Sequence, residues 1–396
     1  CAITPGYKIS RRTGHIMKKK KRAFLELARR YADVAVDPSC PHAGECGGCA
    51  LQHLPYESQL SLKRDHLAAL FDGAIDVGPV QPADPFGYRN RMDFVTAFGK
   101  IGLRRAGSFK HVVDIGSCRI QQDAADEAFR RVRELLAGVE DYDYLAHAGY
   151  LRYVVIRQGR FTGEVMLNFV VASPDGRGRL DPVIAAMADR VASISILLSA
   201  GRADLSFGEI LEHAKGGAID ERLDDLRFAI APNAFFQSNS EIALRMYRRI
   251  REHARGHVLD LYAGIGSITL FIAGACETVT GVEIVEEAVT AARANAVQNG
   301  IANASFVHGD AADFLATFTG RCTTLVLDPP RAGMHPAAVK RIAALAPERI
   351  VYMSCNPESF KDDLLRLDGY RLTSFEAYDM FPQTPHIETL AVLDRR

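Results

Sequence analysis

The chain has 396 residues, of which 48% are hydrophobic and 24% are charged, and its formal net charge at neutral pH is zero. This length predicts two or three domains, and the composition is typical of a globular protein rather than a disordered or fibrous one. No apolar run approaches the roughly 18 residues that cross a bilayer, and no signal-peptide pattern opens the chain. We therefore expect a cytoplasmic monomer that has no membrane association.

Charge is distributed unevenly along the chain. Residues 1–120 carry 19 Lys and Arg against 11 Asp and Glu, so the remaining residues carry an equal acidic surplus. A basic N-terminal third joined to an acidic remainder predicts one part that contacts phosphates and another that has a different task. The alternative is a solvated basic tail around Lys18–Arg22 with no role in binding.

The first half of the chain predicts a basic segment over residues 1–37 and a central α+β domain over residues 38–235. The central domain opens with a Gly- and Pro-rich loop that contains three cysteines. Apolar periodicity then predicts helices over residues 56–71, 123–136 and 181–192. Residues 79–118, 150–171 and 193–199 alternate as strands with turns between them.

The pattern changes near residue 241, where short apolar runs begin to alternate with helical segments. Such alternation predicts an α/β domain over residues 236–396, with a Rossmann-like, doubly wound parallel sheet and ligand groups at the strand ends. The predicted strands are residues 258–262, 279–282, 304–308, 324–327 and 349–353, followed by two late strands at 370–375 and 389–393.

A glycine-rich turn containing Gly264 and Gly266 follows the first of these strands. Such a turn lets backbone approach a ligand closely, but alone it is a weak signal, and a phosphate binder could use it. Thr269 stands where the dinucleotide fingerprint has its third glycine. Glu283 and Asp310 end the next two strands, where carboxylates suit a ribose, an adenine amino group and a sulfonium better than a pyrophosphate. The alternative is that both are ordinary strand-end polar residues.

Three further motifs lie at predicted strand ends: Asp328-Pro-Pro-Arg, Ser-Cys355-Asn-Pro and, near the C-terminus, His386-x-Glu388. A thiol among Ser, Asn and Pro is a candidate nucleophile, although Cys can also be a small buried hydrophobe. Glu388 is a candidate base; the alternative is a solvated turn before an edge strand.

These three motifs, together with Phe235-Phe-Gln-Ser-Asn, resemble the RNA uracil-5-methyltransferase family, which makes 5-methyluridine in transfer and ribosomal RNA. The resemblance runs in order from about Cys40 to the C-terminus. It implies that Cys355 is a nucleophile that adds to carbon 6 of uridine, and that Glu388 removes the proton from carbon 5.

The same resemblance implies S-adenosylmethionine as the methyl donor and Phe235 as a residue that stacks on the target base. Ser267 stands where relatives often have Asn. Separately, Arg89 and Arg91 lie on a predicted strand and are candidates for phosphate contacts, although each is equally compatible with a solvated surface charge. The predicted cofactor-binding residues are Gln237, Tyr262, Gly264, Gly266, Ser267, Glu283, Asp310 and Asp328.

Four thiols form a separate pattern: Cys40, Cys46 and Cys49 lie close together, and Cys118 lies far downstream. Four thiolates suit zinc or an iron–sulfur cluster, and free thiols are the third possibility. Zinc sites usually pair two C-x2-C knuckles, and this chain has one. Family members with the same cysteine pattern hold a [4Fe-4S] cluster, so the resemblance implies such a cluster here, with a structural or RNA-contacting role.

The resemblance also bears on the target RNA. The cysteine pattern resembles that of ribosomal enzymes and favours 23S ribosomal RNA, with uridine 54 of transfer RNA as the alternative. Residues 1–37 are too short for the N-terminal barrel that many relatives carry, so we expect that module to be absent or truncated. Two other classes stay open: an N-methyltransferase, whose chemistry needs no cysteine, and a non-catalytic RNA-binding iron–sulfur protein.

Overall fold

The computed structural model describes residue 24 and residues 26–108 and 110–396. Most of the predicted basic segment, including Lys18–Arg22, lies outside these residues. The chain forms two compact units: the first contains the described residues up to Asp37, Leu51–Ala83 and Ile242–Arg396, and the second contains Pro38–Ala50 and Asp84–Glu241. None of the helices in the described ranges combines the length and the apolar character that crossing a membrane requires.

Nine α-helices are described, and short 3₁₀ turns occur at Arg29–Val34, Arg177–Leu180 and Ala273–Ala275. The helices are α1 (Tyr56–Phe71), α2 (Asp123–Leu135), α3 (Asp181–Met187), α4 (Ser240–His253), α5 (Ser267–Ile272), α6 (Glu286–Gln298), α7 (Ala311–Thr317), α8 (Pro336–Leu345) and α9 (Pro357–Leu364).

The described residues contain eighteen strands. The second unit contains β1 (Arg91–Ala97), β2 (Lys100–Arg104), β3 (Val112–Asp114), β4 (Tyr142–Asp143), β5 (Ala148–Gly149), β6 (Leu151–Gln158), β7 (Val165–Val171), β8 (Ser193–Leu198), β9 (Glu209–Lys215), β10 (Ile219–Leu223) and β11 (Leu226–Ile230). The first unit contains β12 (His257–Leu261), β13 (Thr278–Glu283), β14 (Ala304–His308), β15 (Thr324–Leu327), β16 (Arg349–Ser354), β17 (Tyr370–Tyr378) and β18 (Glu388–Arg395).

The first unit is built on a seven-stranded sheet with the order β14-β13-β12-β15-β16-β18-β17. The first five of these strands are parallel to their neighbours, whereas β18 is antiparallel to β16 and β17. All four residues of β15 are buried, as expected for a parallel strand that is shielded from water on both faces. Because β18 runs in the opposite direction, its first residue lies at the edge where the parallel strands end.

Helix α1 belongs to this unit although it lies far away in sequence. Leu67 and Phe71 join the apolar core of the sheet, and the Phe71 ring meets the Phe375 ring edge to face at 5.3 Å. The predicted division placed all of residues 38–235 in one central domain. The structure instead divides that stretch, because α1 buries its side chains against the C-terminal part of the chain.

The second unit contains a seven-stranded sheet with the order β3-β2-β1-β6-β7-β8-β9, in which only β7 and β8 pair in parallel. One face packs on α2, where the Phe94 and Phe129 rings stack. Since side chains alternate along a strand, Arg91 and Asp93 lie on the face opposite to Phe94.

The sequence predicts no strand between residues 200 and 240, whereas the structure has three there. In β9, no residue is fully buried, so the strand lacks the apolar alternation that would reveal it. Strands β10 and β11 form a hairpin whose two-residue turn begins at Asp224, with a φ of +52°.

Candidate active site

The turn after β12 depends on its glycines. Gly264 and Gly266 have φ values of +55° and +81°, in the left-handed region that favours glycine. A Cβ atom on Gly266 would lie 2.8 Å from the Phe306 ring, so that position tolerates no side chain without repacking. Tyr262 is also left-handed, with a φ of +70°, which is uncommon outside glycine. The left-handed backbone at three positions and the close packing at Gly266 together fix the shape of this turn.

Glu283, the last residue of β13, reaches this turn. Its Oε2 accepts a hydrogen bond from the Gly264 N–H at 2.9 Å, and its Oε1 accepts one from the Val285 N–H at 2.9 Å. The carboxylate is therefore held at the carboxyl edge of the sheet. Its remaining lone pairs can accept hydrogen bonds from a ribose, as the sequence predicts.

Asp310 has a local structural role as the N-cap of α7. Its Oδ1 accepts hydrogen bonds from the Ala312 N–H at 2.8 Å and the Asp313 N–H at 3.2 Å. One of its oxygens therefore has an ordinary structural role in capping the helix. The contact of Asp310 with an adenine amino group stays a prediction. Burial raises the pKa of Tyr262 to about 12, and the charge of Asp310 adds to that effect, so the two side chains lie within electrostatic reach.

Two polar contacts beneath the turn complete this region. The Ser267 and Tyr247 hydroxyls share a hydrogen bond at 3.2 Å. Asp260, to which the sequence assigns no role, is fully buried and accepts a hydrogen bond from the Thr269 hydroxyl at 2.5 Å. Its other oxygen has no hydrogen-bond partner among the residues described, and burial raises its pKa to about 7.

Asp328, Cys355 and Glu388 meet at one edge of this sheet. Asp328 follows β15 directly, Cys355 follows β16, and Glu388 is the first residue of β18. Leu327 pairs with Tyr352, and Ser354 pairs with Thr389, so the three residues come from adjacent strand ends. The three sequence motifs are thus brought together next to the glycine turn.

Burial dominates the electrostatics of Cys355. It raises the pKa of the thiol to about 12, and the negative charges of Glu388 and Asp328 add to the rise, whereas Arg331 opposes it. Thiolate formation therefore requires positive charge to be brought to this edge.

Glu388 is 2% exposed, and burial, followed by the charge of Asp328, raises its pKa well above the usual range. Its Oε1 is buried and has no hydrogen-bond partner in the described part of the chain. A buried carboxyl group of this kind, within electrostatic reach of a thiol, suits proton transfer.

Arg331 is a functional candidate to which the sequence assigns no separate role, although it ends the Asp328-Pro-Pro-Arg motif. It is the positive side chain that opposes the pKa rise of both Cys355 and Glu388. Its backbone carbonyl accepts hydrogen bonds from Asn356 Nδ2 and Ser359 Oγ, each at 2.7 Å. The loop after Asp328 is therefore tied to the segment after Cys355.

Phe235 and Gln237 belong to the second unit. The Phe235 side chain is 43% exposed, which is high for a large aromatic residue, whereas Gln237 is 8% exposed. Asn90 Nδ2 donates to the Gln237 carbonyl at 2.8 Å and to Ser240 Oγ at 2.9 Å. The Ser240 hydroxyl in turn donates to Glu221 Oε2 at 2.6 Å. This network holds the segment and leaves the Phe235 ring accessible for stacking.

Arg89 and Arg91 also lie in the second unit, beside an arginine that the sequence does not single out. Arg89 Nε donates to the Arg91 carbonyl at 2.9 Å, and Arg91 Nε donates to Asp93 Oδ1 at 2.8 Å. Arg157 is the cross-strand partner of Arg91 and is 3% exposed; its Nη1 finds no hydrogen-bond partner among the described residues. Burial first, then the charge of Arg91, lowers the pKa of Arg157 to about 9.

Cys40, Cys46, Cys49 and Cys118 all lie in the second unit and are partly buried. Burial raises the pKa of Cys118 to about 12, and the charges of Cys49 and Cys46 add to it. Nevertheless, the part of the chain that the structure describes contains no group of three or more potential ligands that could hold a metal ion. The predicted ligand set is therefore not assembled here, and the iron–sulfur cluster stays a prediction.

The sequence model of the tRNA (Uracil-5-)-methyltransferase family matches residues 218–396. A tRNA (uracil(54)-C(5))-methyltransferase of Pyrococcus furiosus is 35% identical over 387 residues, which cover 96% of this chain and 91% of that protein. The chain belongs to the tRNA (uracil-5-)-methyltransferase family. The enzyme class predicted from the sequence, an RNA (uracil-5-)-methyltransferase, is thereby confirmed.

Other relatives agree over nearly the whole chain. A solved structure of Pyrococcus abyssi tRNA (uracil-54, C5)-methyltransferase in complex with S-adenosyl-L-homocysteine superposes with a TM-score of 0.78 at 36% identity, covering 90% of this chain and 86% of that one. An uncharacterised RNA methyltransferase of Thermotoga maritima is 36% identical over 395 residues, covering 95% and 89% of the two chains. The α/β fold of this methyltransferase is therefore confirmed. Family membership favours carbon methylation over the N-methyltransferase and non-catalytic alternatives.

Proposed function

We propose that this enzyme transfers a methyl group from S-adenosylmethionine to carbon 5 of uridine 54 in transfer RNA. The observation that carries the reaction is the meeting of Cys355, Asp328 and Glu388 at one sheet edge. The Pyrococcus relatives, which are named as transfer RNA enzymes, support the choice of RNA. They favour the transfer RNA alternative over 23S ribosomal RNA, the target that the cysteine pattern favours.

The glycine turn and Glu283 fit the methyl donor. Gly264 leaves backbone open at the end of β12, because nothing lies within 4 Å of the place where its Cβ atom would be, and Glu283 presents a fixed carboxylate to ribose hydroxyls. When bound, S-adenosylmethionine supplies an electrophilic methyl group and a positive charge at sulfur. The first unit also contains the other proposed cofactor-binding residues, which are Tyr262, Ser267, Asp310 and Asp328. The cofactor contact of Gln237 stays a prediction.

The chemistry requires both a nucleophile and a base, because carbon 5 of uracil is too electron-poor to attack a methyl group unaided. In the proposed mechanism the Cys355 thiolate forms a bond to carbon 6, which makes carbon 5 an enolate-like nucleophile. After carbon 5 has been methylated, the Glu388 carboxylate takes its proton. The S–C6 bond then breaks and restores the aromatic ring and the thiolate.

The charges at this edge bear on how Cys355 and Glu388 ionise. Asp328 raises the pKa of both groups, and the charge of Glu388 also raises the pKa of Cys355. Positive charge favours their ionised forms, and Arg331 is the side chain that already provides it. We propose that Arg331 helps to stabilise the thiolate before it adds to the base.

RNA binding is proposed to involve the second unit. A uridine within a stack cannot reach a thiol at a sheet edge, so the target must be single-stranded or flipped out. The exposed Phe235 ring is suited to replace the lost stacking. Arg89 and Arg91 are proposed to contact phosphates, because the buried Arg157, the cross-strand partner of Arg91, adds a third positive charge beside them.

For the four thiols we propose a [4Fe-4S] cluster, supported by their location in one unit and by the electrostatic interactions of Cys118 with Cys46 and Cys49. Anaerobically purified protein should be brown and contain iron and sulfide. Cys46→Ala should lose both the colour and the iron, whereas Cys276→Ala should keep them. A colourless protein that contains zinc would overturn this part of the proposal.

The target is tested with purified enzyme, S-adenosylmethionine and unmodified RNA. A transfer RNA transcript should gain 5-methyluridine at position 54, and the matched transcript with cytidine at that position should gain none. Fragments of 23S ribosomal RNA serve as competitors. Methylation of a 23S fragment in preference to the transfer RNA would contradict the proposed target but not the proposed chemistry.

The covalent step is tested with the same transfer RNA carrying 5-fluorouridine at position 54. Carbon 5 then has no removable proton, so the RNA should stay attached to Cys355 and migrate with the protein on a denaturing gel. Mass spectrometry of the digested adduct identifies the attached residue. If no adduct forms with an RNA that the enzyme methylates, the covalent mechanism is wrong.

A further inference from the structure

The segment between β17 and β18 leads directly into Glu388, the first residue of β18. It covers residues 379–387 and ends directly before the proposed base. The Oε1 atom of Glu388 has no hydrogen-bond partner among the described residues, so hydrogen bonds do not fix that end of the side chain. The position of the carboxyl group therefore depends strongly on the backbone of this segment.

Lys63 on α1 is joined to the start of this segment by a buried ion pair. Its Nζ lies 2.5 Å from Asp379 Oδ1, and both side chains are 0% exposed. The same Nζ donates a hydrogen bond to the Phe381 carbonyl at 3.2 Å. One ammonium group thus holds two points of the segment, although 316 residues separate the paired charges in sequence.

Gln59 holds the middle of the segment. Its Nε2 donates to Gln383 Oε1 at 2.9 Å, and its Oε1 accepts from the Gln383 N–H at 3.1 Å. The Leu51 N–H donates to the Gln383 carbonyl at 3.0 Å. Gln383 has a φ of +67°, a left-handed conformation that non-glycine residues rarely adopt. Three hydrogen bonds therefore support a strained residue five positions before Glu388.

Gln59 and Lys63 are an unusual choice for a buried helix face. They lie four residues apart, so they project from the same side of α1. Apolar residues there would pack without desolvating a charge, and a buried ion pair adds little net stability over them. The polar pair does specify one arrangement of the segment that it contacts.

We propose that Gln59 and Lys63 are positioning residues for Glu388, and that α1 thereby controls the proton-removal step. The inference rests on the proposed function, in which Glu388 is the base. Neither residue touches the reacting atoms. They act through residues 379–387, whose backbone sets the position from which the carboxyl group reaches carbon 5.

The two chemical steps should respond differently, because Cys355 is held by other parts of the unit. It follows β16, and the neighbouring Ser354 hydroxyl accepts from the Asn356 N–H at 3.2 Å and donates to the Asn356 carbonyl at 3.0 Å. Displacing residues 379–387 should therefore leave the addition of the thiol largely intact. It should slow the later loss of the proton from carbon 5.

The test compares Lys63→Met with Lys340→Met, a matched change at an exposed lysine on α8. Full-length proteins are first checked for folding by circular dichroism and for binding of S-adenosylhomocysteine by calorimetry. Single-turnover reactions with radiolabelled methyl donor and unmodified transfer RNA then separate methyl groups in the covalent protein–RNA adduct from those in released RNA.

We expect Lys63→Met to lower kcat by roughly 10- to 100-fold, because small displacements of a catalytic group have effects of this size. The KM for RNA should change by less than about threefold, and labelled covalent adduct should accumulate. Lys340→Met should behave as the wild type. The inference is overturned if folded Lys63→Met releases product at the wild-type rate, or if adduct formation and release slow by the same factor.

Lys63→Met leaves Asp379 as a buried charge and could prevent folding, so two further variants are included. Gln59→Leu changes no charge, and the double variant Lys63→Met with Asp379→Asn removes both. Each should show the same selective slowing of release, and equal slowing of both steps would count against the inference. Wild-type enzyme that neither methylates transfer RNA nor forms a 5-fluorouridine adduct would refute the proposed function instead.

Discussion

Two glutamates, one in each unit, are equally buried but differ in their surroundings. Glu221 is 0% exposed and Glu388 is 2% exposed. Glu221 accepts four hydrogen bonds, from the backbone N–H groups of Arg160, Phe161 and Arg222 and from the Ser240 hydroxyl. In contrast, the buried Oε1 of Glu388 has no partner among the described residues.

The difference in hydrogen bonding separates Glu221, which has a structural role, from Glu388, the proposed base. Buried polar atoms are nearly always hydrogen-bonded, because an unpaired one costs about 1–3 kcal/mol. Glu221 meets that rule and holds the network that supports Phe235. Glu388 does not, and its raised pKa leaves it able to exchange a proton. Burial with an unpaired oxygen does not by itself identify a catalytic carboxyl group, because Asp260 and Asp379 also have a buried oxygen without a partner among the described residues. Glu388 differs from them in its location at the sheet edge beside Cys355 and Asp328.

The largest effect is expected at Cys355, the proposed nucleophile that acts together with Glu388. Cys355→Ala should lower methylation by roughly 10⁴-fold or more, because removing a nucleophile abolishes the covalent route. Cys322→Ala, which changes another partly buried thiol of the same unit, is the matched control and should stay active. Rates are measured as radiolabelled methyl groups transferred to RNA. An active Cys355→Ala enzyme would show that the sheet edge performs chemistry without a thiol adduct.

The next largest effect is expected from Glu388→Gln, which keeps the shape and removes the base. Methylation should fall by about 10²- to 10⁴-fold, and methylated RNA should remain attached to Cys355. The adduct is measured on denaturing gels, with Glu348→Gln at an exposed position as the control. Rapid release of product from Glu388→Gln would assign the proton to another group.

The raised pKa of Glu388 also gives the sign of its pH dependence. A carboxyl group whose folded-state pKa is raised stabilises the fold at low pH, and that contribution is lost as pH rises through the folded-state pKa. Glu388→Gln should therefore gain stability relative to the wild type as pH increases. Wild-type activity should rise over the same range, because both Glu388 and Cys355 must ionise. Denaturant unfolding and initial rates at several pH values test both signs.

Glu221→Gln should affect stability instead of a chemical step. Glutamine replaces one acceptor oxygen by a donor, which leaves backbone N–H groups unpaired, so we expect a loss of about 1–3 kcal/mol in the free energy of unfolding. Urea unfolding measures the loss, with Glu209→Gln on β9 as an exposed control. The ratio of adduct formation to release should not change. A selective effect on release would contradict the distinction between the two glutamates.

The smallest effect is expected at the arginines of the second unit. Arg157→Met should weaken transfer RNA binding severalfold and lower the salt dependence of binding, because it removes a positive charge beside Arg91. Arg190→Met, at an exposed arginine of the same unit, is the control. Filter binding at several salt concentrations measures both quantities. An unchanged salt dependence would mean that Arg157 has no role with phosphate.

Much of the catalytic half was predictable from sequence. Parallel strands that are buried on both faces give apolar runs, and chemical groups collect where such strands end. The positions of Cys355, Asp328 and Glu283 follow from those two rules. The polar strand β9 was not predicted, because its residues lack a regular apolar alternation. The hairpin β10–β11 was missed although Leu226, Phe228 and Ile230 alternate with more polar or smaller residues, because each of its strands has only five residues. Arg157 was missed because a single arginine in an apolar strand carries no motif.

The sequence by itself determined the order of strands and helices in the C-terminal domain, the motifs at the strand ends and the class of reaction, because these depend on local periodicity and residue chemistry. Only the tertiary structure assigned α1 to the catalytic unit and paired Lys63 with Asp379. It also showed which buried glutamate keeps an unpaired oxygen. Contacts between residues hundreds of positions apart leave no periodic trace in a single sequence, so their effect on Glu388 becomes visible only after folding.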